Sequence, residues 1–408
     1  MLSILRSTTR PAASGRSAVS MSRAVWPAAA GIVLIAFNLR LAISSAAALL
    51  EQLRAQLGYG PLVASLVPAL PALCFAVVGA TSALLARRLG TEPAVLLALL
   101  VLCAGLAVRA VPQTWALLVG TLLGSAGLAL CNVLLPAVVR THFPDRVALL
   151  TGVYTTVMAL GSAFAAAAAV PVADVMGQPS LGLAAWTLPA VAALLVWGLR
   201  AGAWKGAAPR TGGGAVSARA IGRTRFGLLV TAVFALQSLN SYAVIGWLPT
   251  VLTDHGMSSD RAGFMLGLAL FVGVPSTFVL MPLTRTAARL RLAFCIVGIS
   301  LIAGYLGLLG APTALPVLWA VLTGLGLGAF PLILAVIGTS GRSPQETAAL
   351  STFSQSTGYL LASAGPFGVG LVRSATGSWT APLVLLLGLA ALQLLVGLSL
   401  TSSRAVRD

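Results

Sequence analysis

VWPAAAGIVLIAFNLRLAISSAAALL, residues 25–50, decides the fold of this chain. A helix of about 20 apolar residues, rising 1.5 Å per residue, crosses the ~30 Å hydrocarbon layer of a bilayer. This run is long enough, and its one charged side chain is Arg40, in Phe37-Asn38-Leu39-Arg40. A charge near the bilayer centre costs at least ~2.5–3.5 kcal/mol on insertion scales and is kept where it faces a polar cavity or a partner. The sequence allows every other charged residue a place at a membrane edge or in a loop. Arg40 is the exception.

The rest of the chain has the same character. Of 408 residues, 58% are hydrophobic and 8% charged, with a mean hydropathy of +0.99. Soluble domains carry about 25% charged residues, because their surface must be solvated, so here the solvent is lipid. The formal charge of +17 does not mark a nucleic-acid binder, since the basic residues fall in short loops between apolar runs rather than on one face. Cys74, Cys103, Cys131 and Cys295 all lie inside apolar runs without metal-ligand spacing and read as buried free thiols. His142 and His255 fall in predicted loops, which excludes a buried metal cluster or a nucleophilic triad. No cofactor is expected.

Twelve segments are long and apolar enough to span: 25–50, 61–86, 94–111, 115–138, 147–171, 181–199, 226–252, 262–284, 290–309, 316–338, 347–372 and 380–400. Continuous rather than alternating hydrophobicity excludes barrel strands, so the fold class is all-α membrane protein. Small residues let helices approach closely in lipid, and Gly120-x-x-x-Gly124 is one such face. With the N-terminus inside, 20 of the 25 Lys and Arg residues fall in inner segments. The outer segments hold Arg54, Arg109, Arg261 and Arg373. The positive-inside rule therefore makes both termini cytoplasmic. Trp115, Trp319 and Trp379 fall at outer boundaries and Trp26 and Trp197 at inner ones, as in an aromatic belt. The first helix is expected to be retained, because Arg40 interrupts the apolar region and that region is too long for a signal peptide.

The domain plan follows: a tail at 1–24, a six-helix bundle at 25–199, a Gly/Ala/Arg-rich linker at 200–225, a second bundle at 226–400 and a tail at 401–408. The bundles resemble each other at an offset near 200 residues. Leu150-Thr151 matches Leu350-Ser351, Ala86-Arg87-Arg88-Leu89 is echoed by Ala287-Ala288-Arg289-Leu290, and the glycine-rich fourth span parallels the tenth, with Gly324, Gly326, Gly328 and Pro331. Two parallel six-helix repeats joined by a cytoplasmic linker are the major facilitator architecture, with substrate at the midplane between halves.

The loop Ala83 to Glu92 fits the Gly-x-Leu-Ala-Asp-Arg-x-Gly-Arg-Arg signature of such transporters only at Leu85, Ala86, Arg88 and Gly90, and Arg87 stands in the aspartate's place. Six stretches are more specific: Phe37 to Arg40, Asn132 to Pro136, Gly152 to Thr156, Leu236 to Leu239 with Trp247-Leu248-Pro249, Gln355 to Tyr359, and Ala375 to Pro382. In order and spacing they resemble the cyanate/nitroimidazole (CynX/NimT-like) branch of the major facilitator superfamily. The resemblance implies a bacterial inner-membrane, multi-pass carrier of small anions or nitrogen heterocycles, and the chain is expected to act as a monomer.

Polar residues on the predicted facing helices are the candidate substrate ligands: Asn38 and Arg40 on the first, Gln237 and Asn240 on the seventh, Tyr154 on the fifth, Gln355 and Tyr359 on the eleventh. Each could equally bind helix to helix. At a 200-residue offset Asn240 is the counterpart of Arg40. A guanidinium offers five fixed donors to a planar anion. The alternative for Arg40 is a clamp on backbone carbonyls and Asn38. All eight carboxylates fall in loops or at helix ends, so no fixed acid neutralises it. That absence points to an anionic or hydrogen-bond-accepting solute. It also points to proton coupling that is absent or indirect, with a proton travelling alongside the substrate. Efflux of drugs or metabolites by the same fold is the alternative function. No catalytic constellation supports an enzyme, and no phosphate-binding loop supports ATP-driven transport.

Overall fold

In lipid every backbone polar group must find its partner within the chain, and a helix does this residue by residue. The computed structural model describes residues 17–199, 220, 222–340 and 343–405, and among these it is all-helical, without strands. The helices are α1 Ser17–Ala48, α2 Leu50–Leu57, α3 Pro61–Leu89, α4 Thr91–Val108, α5 Thr114–His142, α6 Val147–Met176, α7 Pro179–Ala185 and α8 Thr187–Gly198 in the first half. The second half contains α9 Arg225–Asp254, α10 Ser259–Leu280, α11 Ala287–Gly310, α12 Pro316–Leu327, α13 Ala329–Ser340, α14 Pro344–Thr376 and α15 Thr380–Ala405. Each of the twelve expected spans lies largely on helix, although residues 109–111 of the third form the turn after α4. The sixth is broken at Trp186 and the tenth at Gly328, so each of these is built from two helices. Most of the expected linker, and the outermost residues of both tails, lie outside the described residues.

Among the described residues, eleven spans are long and apolar enough to cross a membrane by length and composition alone. The exception is α14, whose sequence carries Gln355, Ser356, Thr357, Ser363 and other polar residues. Its packing accounts for that. It runs along α9 in its own half and along α3 of the other half, so it sits at the seam of the molecule. α6 and α10 meet across the opposite side of that seam. The internal repeat is visible in the packing: α1 lies along α6 as α9 lies along α14.

Glycines set these approaches. A Cβ at Gly161 would meet the Phe37 carbonyl oxygen at 2.6 Å, and one at Gly365 the Leu239 carbonyl oxygen at 2.9 Å, the same contact in each half. Between halves, a Cβ at Gly246 would stand 2.6 Å from Pro68 Cβ, and one at Gly267 2.8 Å from the Ala163 carbonyl oxygen. These inter-half contacts occur toward the end where α1 finishes and α10 begins, and they seal that end. Gly120 and Gly124 form the close face the sequence suggests: a Cβ at Gly105 of α4 would lie 2.2 Å from the Gly124 nitrogen.

Two of the tryptophans depart from the expected belt. Trp115 is exposed, but Trp197 is fully buried, donates from Nε1 to the Glu92 carbonyl oxygen and meets His142 edge-on. Trp379 is buried as well and donates to Asp254. An indole N–H needs a partner when buried, and both find one inside the bundle. His142 is the last residue of α5 rather than a loop residue, and its Nε2 lies 2.5 Å from Glu92 Oε1.

Candidate substrate cavity

Between the halves lies a cavity of about 470 Å³. Its walls come from α1 (Arg40), α6 (Thr151 to Ser162), α9 (Ser238 to Ile245), α10 with the turn after it (Leu270 to Met281), α12 and α13 (Leu327 to Ala335), and α14 (Tyr359). Thr151 is near the start of α6, and Met281 follows the end of α10. The cavity therefore extends toward the end of the bundle that carries the Arg87-Arg88, Arg140 to Arg146 and Arg285 to Arg291 connections. The positive-inside rule predicts that this end faces the cytoplasm. The opposite end is the one closed by glycine contacts.

Arg40 is half-buried on the wall, with its guanidinium 5.6 Å from the centre of the Phe330 ring. Phe330 packs on Phe234 at 5.9 Å, Phe234 on Tyr359 at 5.1 Å, and Tyr359 on Tyr242 at 6.3 Å. The cation thus rests on an aromatic cluster, which offers an attractive π face but no countercharge. The two ion pairs found among the described residues are His142–Glu92 and Arg373–Asp254, both away from Arg40. The Tyr242 and Ser238 hydroxyls, on the same wall, are buried without hydrogen-bond partners among the described residues.

Of the residues singled out from sequence, Arg40 and Tyr359 line this cavity. Asn38 lies away from it, with Nδ2 donating to the Leu34 carbonyl at 2.8 Å and to the Pro189 carbonyl of α8 at 3.0 Å. Asn240 is fully buried in a knot between helices. Its Nδ2 donates to the Leu236 carbonyl and to Gln393 Oε1, both at 3.0 Å, and its Oδ1 accepts from Tyr305 at 3.0 Å. Gln237 joins the same knot, accepting from Gln393 Nε2 at 3.3 Å and donating to Ser241 and to the Leu327 carbonyl. That carbonyl sits at the helix break before Gly328, so Gln237 serves a backbone group there. Tyr154 packs on the core, and Gln355 donates to Ser351 one turn away at 2.6 Å.

The asparagines revise the symmetry. Asn38 and Asn240 each donate to the carbonyl four residues back and to the last helix of their own half. The structural offset on these helices is therefore 202 residues, and the counterpart of Arg40 is Tyr242.

Sequence reading missed Arg109. It lies in the turn just past α4, as its position in an outer segment implies, but its side chain is turned inward: it is 3% exposed, and Nη1 donates to the Ala42 carbonyl of α1 at 3.2 Å. Beyond it, at the closed end, Glu51, Arg54, Asp254, Arg373 and Trp379 line a separate vestibule of about 240 Å³. There Arg373 Nη2 lies 3.0 Å from Asp254 Oδ2 and its guanidinium rests over the Trp379 ring. Burial, and next the Asp254 charge, hold the Glu51 carboxyl above the ordinary carboxylate range.

Comparison with known proteins agrees with this layout. The family described as Major Facilitator Superfamily matches residues 31–366. The chain is 35% identical over 374 residues to the 2-nitroimidazole transporter of Escherichia coli (strain K12), covering 90% of this chain and 93% of the relative. It is 30% identical over 351 residues to the cyanate transport protein CynX of the same organism, covering 85% and 90%. A crystal structure of a mutant nucleoside transporter NupG superposes with a TM-score of 0.75 at 11% identity, covering 91% of this chain and 99% of that one, a likeness of fold. The chain belongs to the Major Facilitator Superfamily of membrane transporters, in its cyanate/nitroimidazole branch.

Proposed function

We propose that the protein carries a small planar anion, or a nitrogen heterocycle bearing strong hydrogen-bond acceptors, by alternating access, with Arg40 as the principal ligand. The observation that carries this reading is a half-buried guanidinium on the wall of the inter-half cavity with an aromatic ring beneath it and no carboxylate paired to it among the described residues. A solute that supplies acceptor atoms completes the site, and Phe330 and Tyr359 offer flat faces to a ring. The names of two relatives fit this chemistry: a nitro group and cyanate both present acceptors to a guanidinium.

No acid lines the cavity among the described residues, so a proton moves with the solute or not at all. The carrier acts as a monomer in the cytoplasmic membrane of a bacterium. Uphill uptake that is driven by a pH gradient and abolished by Glu51→Gln would overturn the coupling part. Efflux of apolar compounds is the second reading, favoured by the Met158, Leu270, Phe278 and Leu334 side of the cavity. Arg40 opposes lipophilic cations by repulsion.

The test is uptake of 2-nitroimidazole and of cyanate into proteoliposomes. Hydrogen bonds to charged groups are worth about 1.5–3 kcal/mol, so Arg40→Gln should lower apparent affinity by ~10-fold or more. Arg40→Lys should recover part of it. Wild-type affinity in Arg40→Gln refutes the assignment. Transport of lipophilic compounds only, unaffected by Arg40, would establish the efflux reading.

A further inference from the structure

Arg109 ends α4 with its guanidinium turned into the bundle, and Nε has no partner among the described residues. The Thr121 hydroxyl of α5 and the Tyr242 hydroxyl of α9 are likewise buried without partners. All three line one small cavity between α1, α3, α5 and α9, just beneath the sealed outer end. Its volume is about 10 Å³, which is room for about one water.

The surroundings are built for this side chain. A Cβ at Gly120 would meet Arg109 Cγ at 2.7 Å, and one at Gly124 would come within 4.0 Å of Nη2. So the glycine face of α5 makes room for the arginine as well as for α4. A buried guanidinium with incomplete partners is expensive, and two unmet hydroxyls beside it add to that cost. Neither ion pair of the described residues involves Arg109. Tyr242 lines both this cavity and the one that holds Arg40.

We propose that Arg109, Thr121 and Tyr242 form a second acceptor-binding site, used in the outward-facing state by the same class of small anion or nitro-bearing solute. This inference rests on the assignment of Arg40 above. In the present state Pro68 and Gly246 close over the site and collapse it. When the halves part at the outer end it opens, and the solute meets Arg109 first. Tyr242 stands between the two guanidiniums, and its hydroxyl serves each site in turn.

The test uses the full chain in proteoliposomes, with counterflow of 2-nitroimidazole and cyanate measured from each face. Arg109→Gln should raise half-saturation from the outer face by ~10-fold or more and leave the inner face within ~2-fold. Thr121→Val should act in the same direction, less strongly, and Arg109→Lys should recover part of the loss. An equal change at both faces, or none, means a clamp on the Ala42 carbonyl and overturns the proposal. A second readout does not need transport: nitrate or 2-nitroimidazole should protect Arg109 from phenylglyoxal modification, followed by peptide mass spectrometry. Failure of both solutes to protect Arg109 also overturns it. Failure of the Arg40 reading shows separately, as wild-type transport by Arg40→Gln.

Discussion

Replacing Gly246 with alanine should move the carrier toward its outward-open state without touching either arginine. In the outer-closed state a Cβ at this position would stand 2.6 Å from Pro68 Cβ, across the seam between halves. Carbon atoms pack best at about 3.5–4.0 Å, so α9 and α3 must separate by about 1 Å. Overpacking of this kind costs about 1–3 kcal/mol. The cost falls only on the state in which these helices meet, so it acts as a bias on the equilibrium. Converted, the ratio of outward-open to inward-open molecules should rise ~5- to 150-fold. Spin labels at Ala55 and Ala375, both exposed at the outer end of opposite halves, would report it by pulsed electron resonance. The native cysteines would first be replaced by alanine. A population at longer distance should grow in Gly246→Ala. Gly368→Ala is the control, since nothing lies within 4 Å of the added methyl. An unchanged distance distribution in folded Gly246→Ala would refute the claim that this contact belongs to one state.

Two further predictions concern stability. Asn240→Leu leaves the Tyr305 hydroxyl and Gln393 Oε1 without their partner, and should lower stability by about 1–2 kcal/mol, near the upper end for hydrogen bonds within membranes. The double variant with Gln393→Leu should be less destabilised than the sum of its parts, and strict additivity in a thermal melt would refute the knot. Because the folded state holds the Glu51 carboxyl above its ordinary value, folding binds a proton there, and stability falls as pH rises between the ordinary and the raised value. Glu51→Gln should therefore remove that decline and melt higher than wild type at neutral pH, with the advantage fading in acid. An advantage that grows in acid would reverse the sign and sink the argument.

The fold was legible because lipid leaves a chain few choices. Runs such as 25–50 and 226–252 must be helices, and the offset between halves sets the pairing of α1 with α6 and α9 with α14. The site was legible only in part, because hydropathy does not record which side a polar group faces. Asn240 and Gln237 look like cavity residues in sequence, yet Gln393, in the largely apolar stretch of α15, draws both into a knot within one half. α14 shows the converse: its polarity depressed its hydropathy because it lies along the seam between halves.

Arg109 shows what the sequence signal leaves ambiguous. An arginine at the edge of an apolar run ordinarily extends outward to water, burying only its stem. Three glycines decide otherwise. Gly105 brings α4 against α5, while Gly120 and Gly124 leave a groove into which the side chain turns. The pattern was present in the sequence as a small-residue face, and its usual reading, helix contact, was correct but incomplete. In a bundle without mid-membrane carboxylates, a glycine face beside a terminal arginine provides room for a buried cation. Such a cation needs a partner, and the backbone at Ala42 occupies one nitrogen of three.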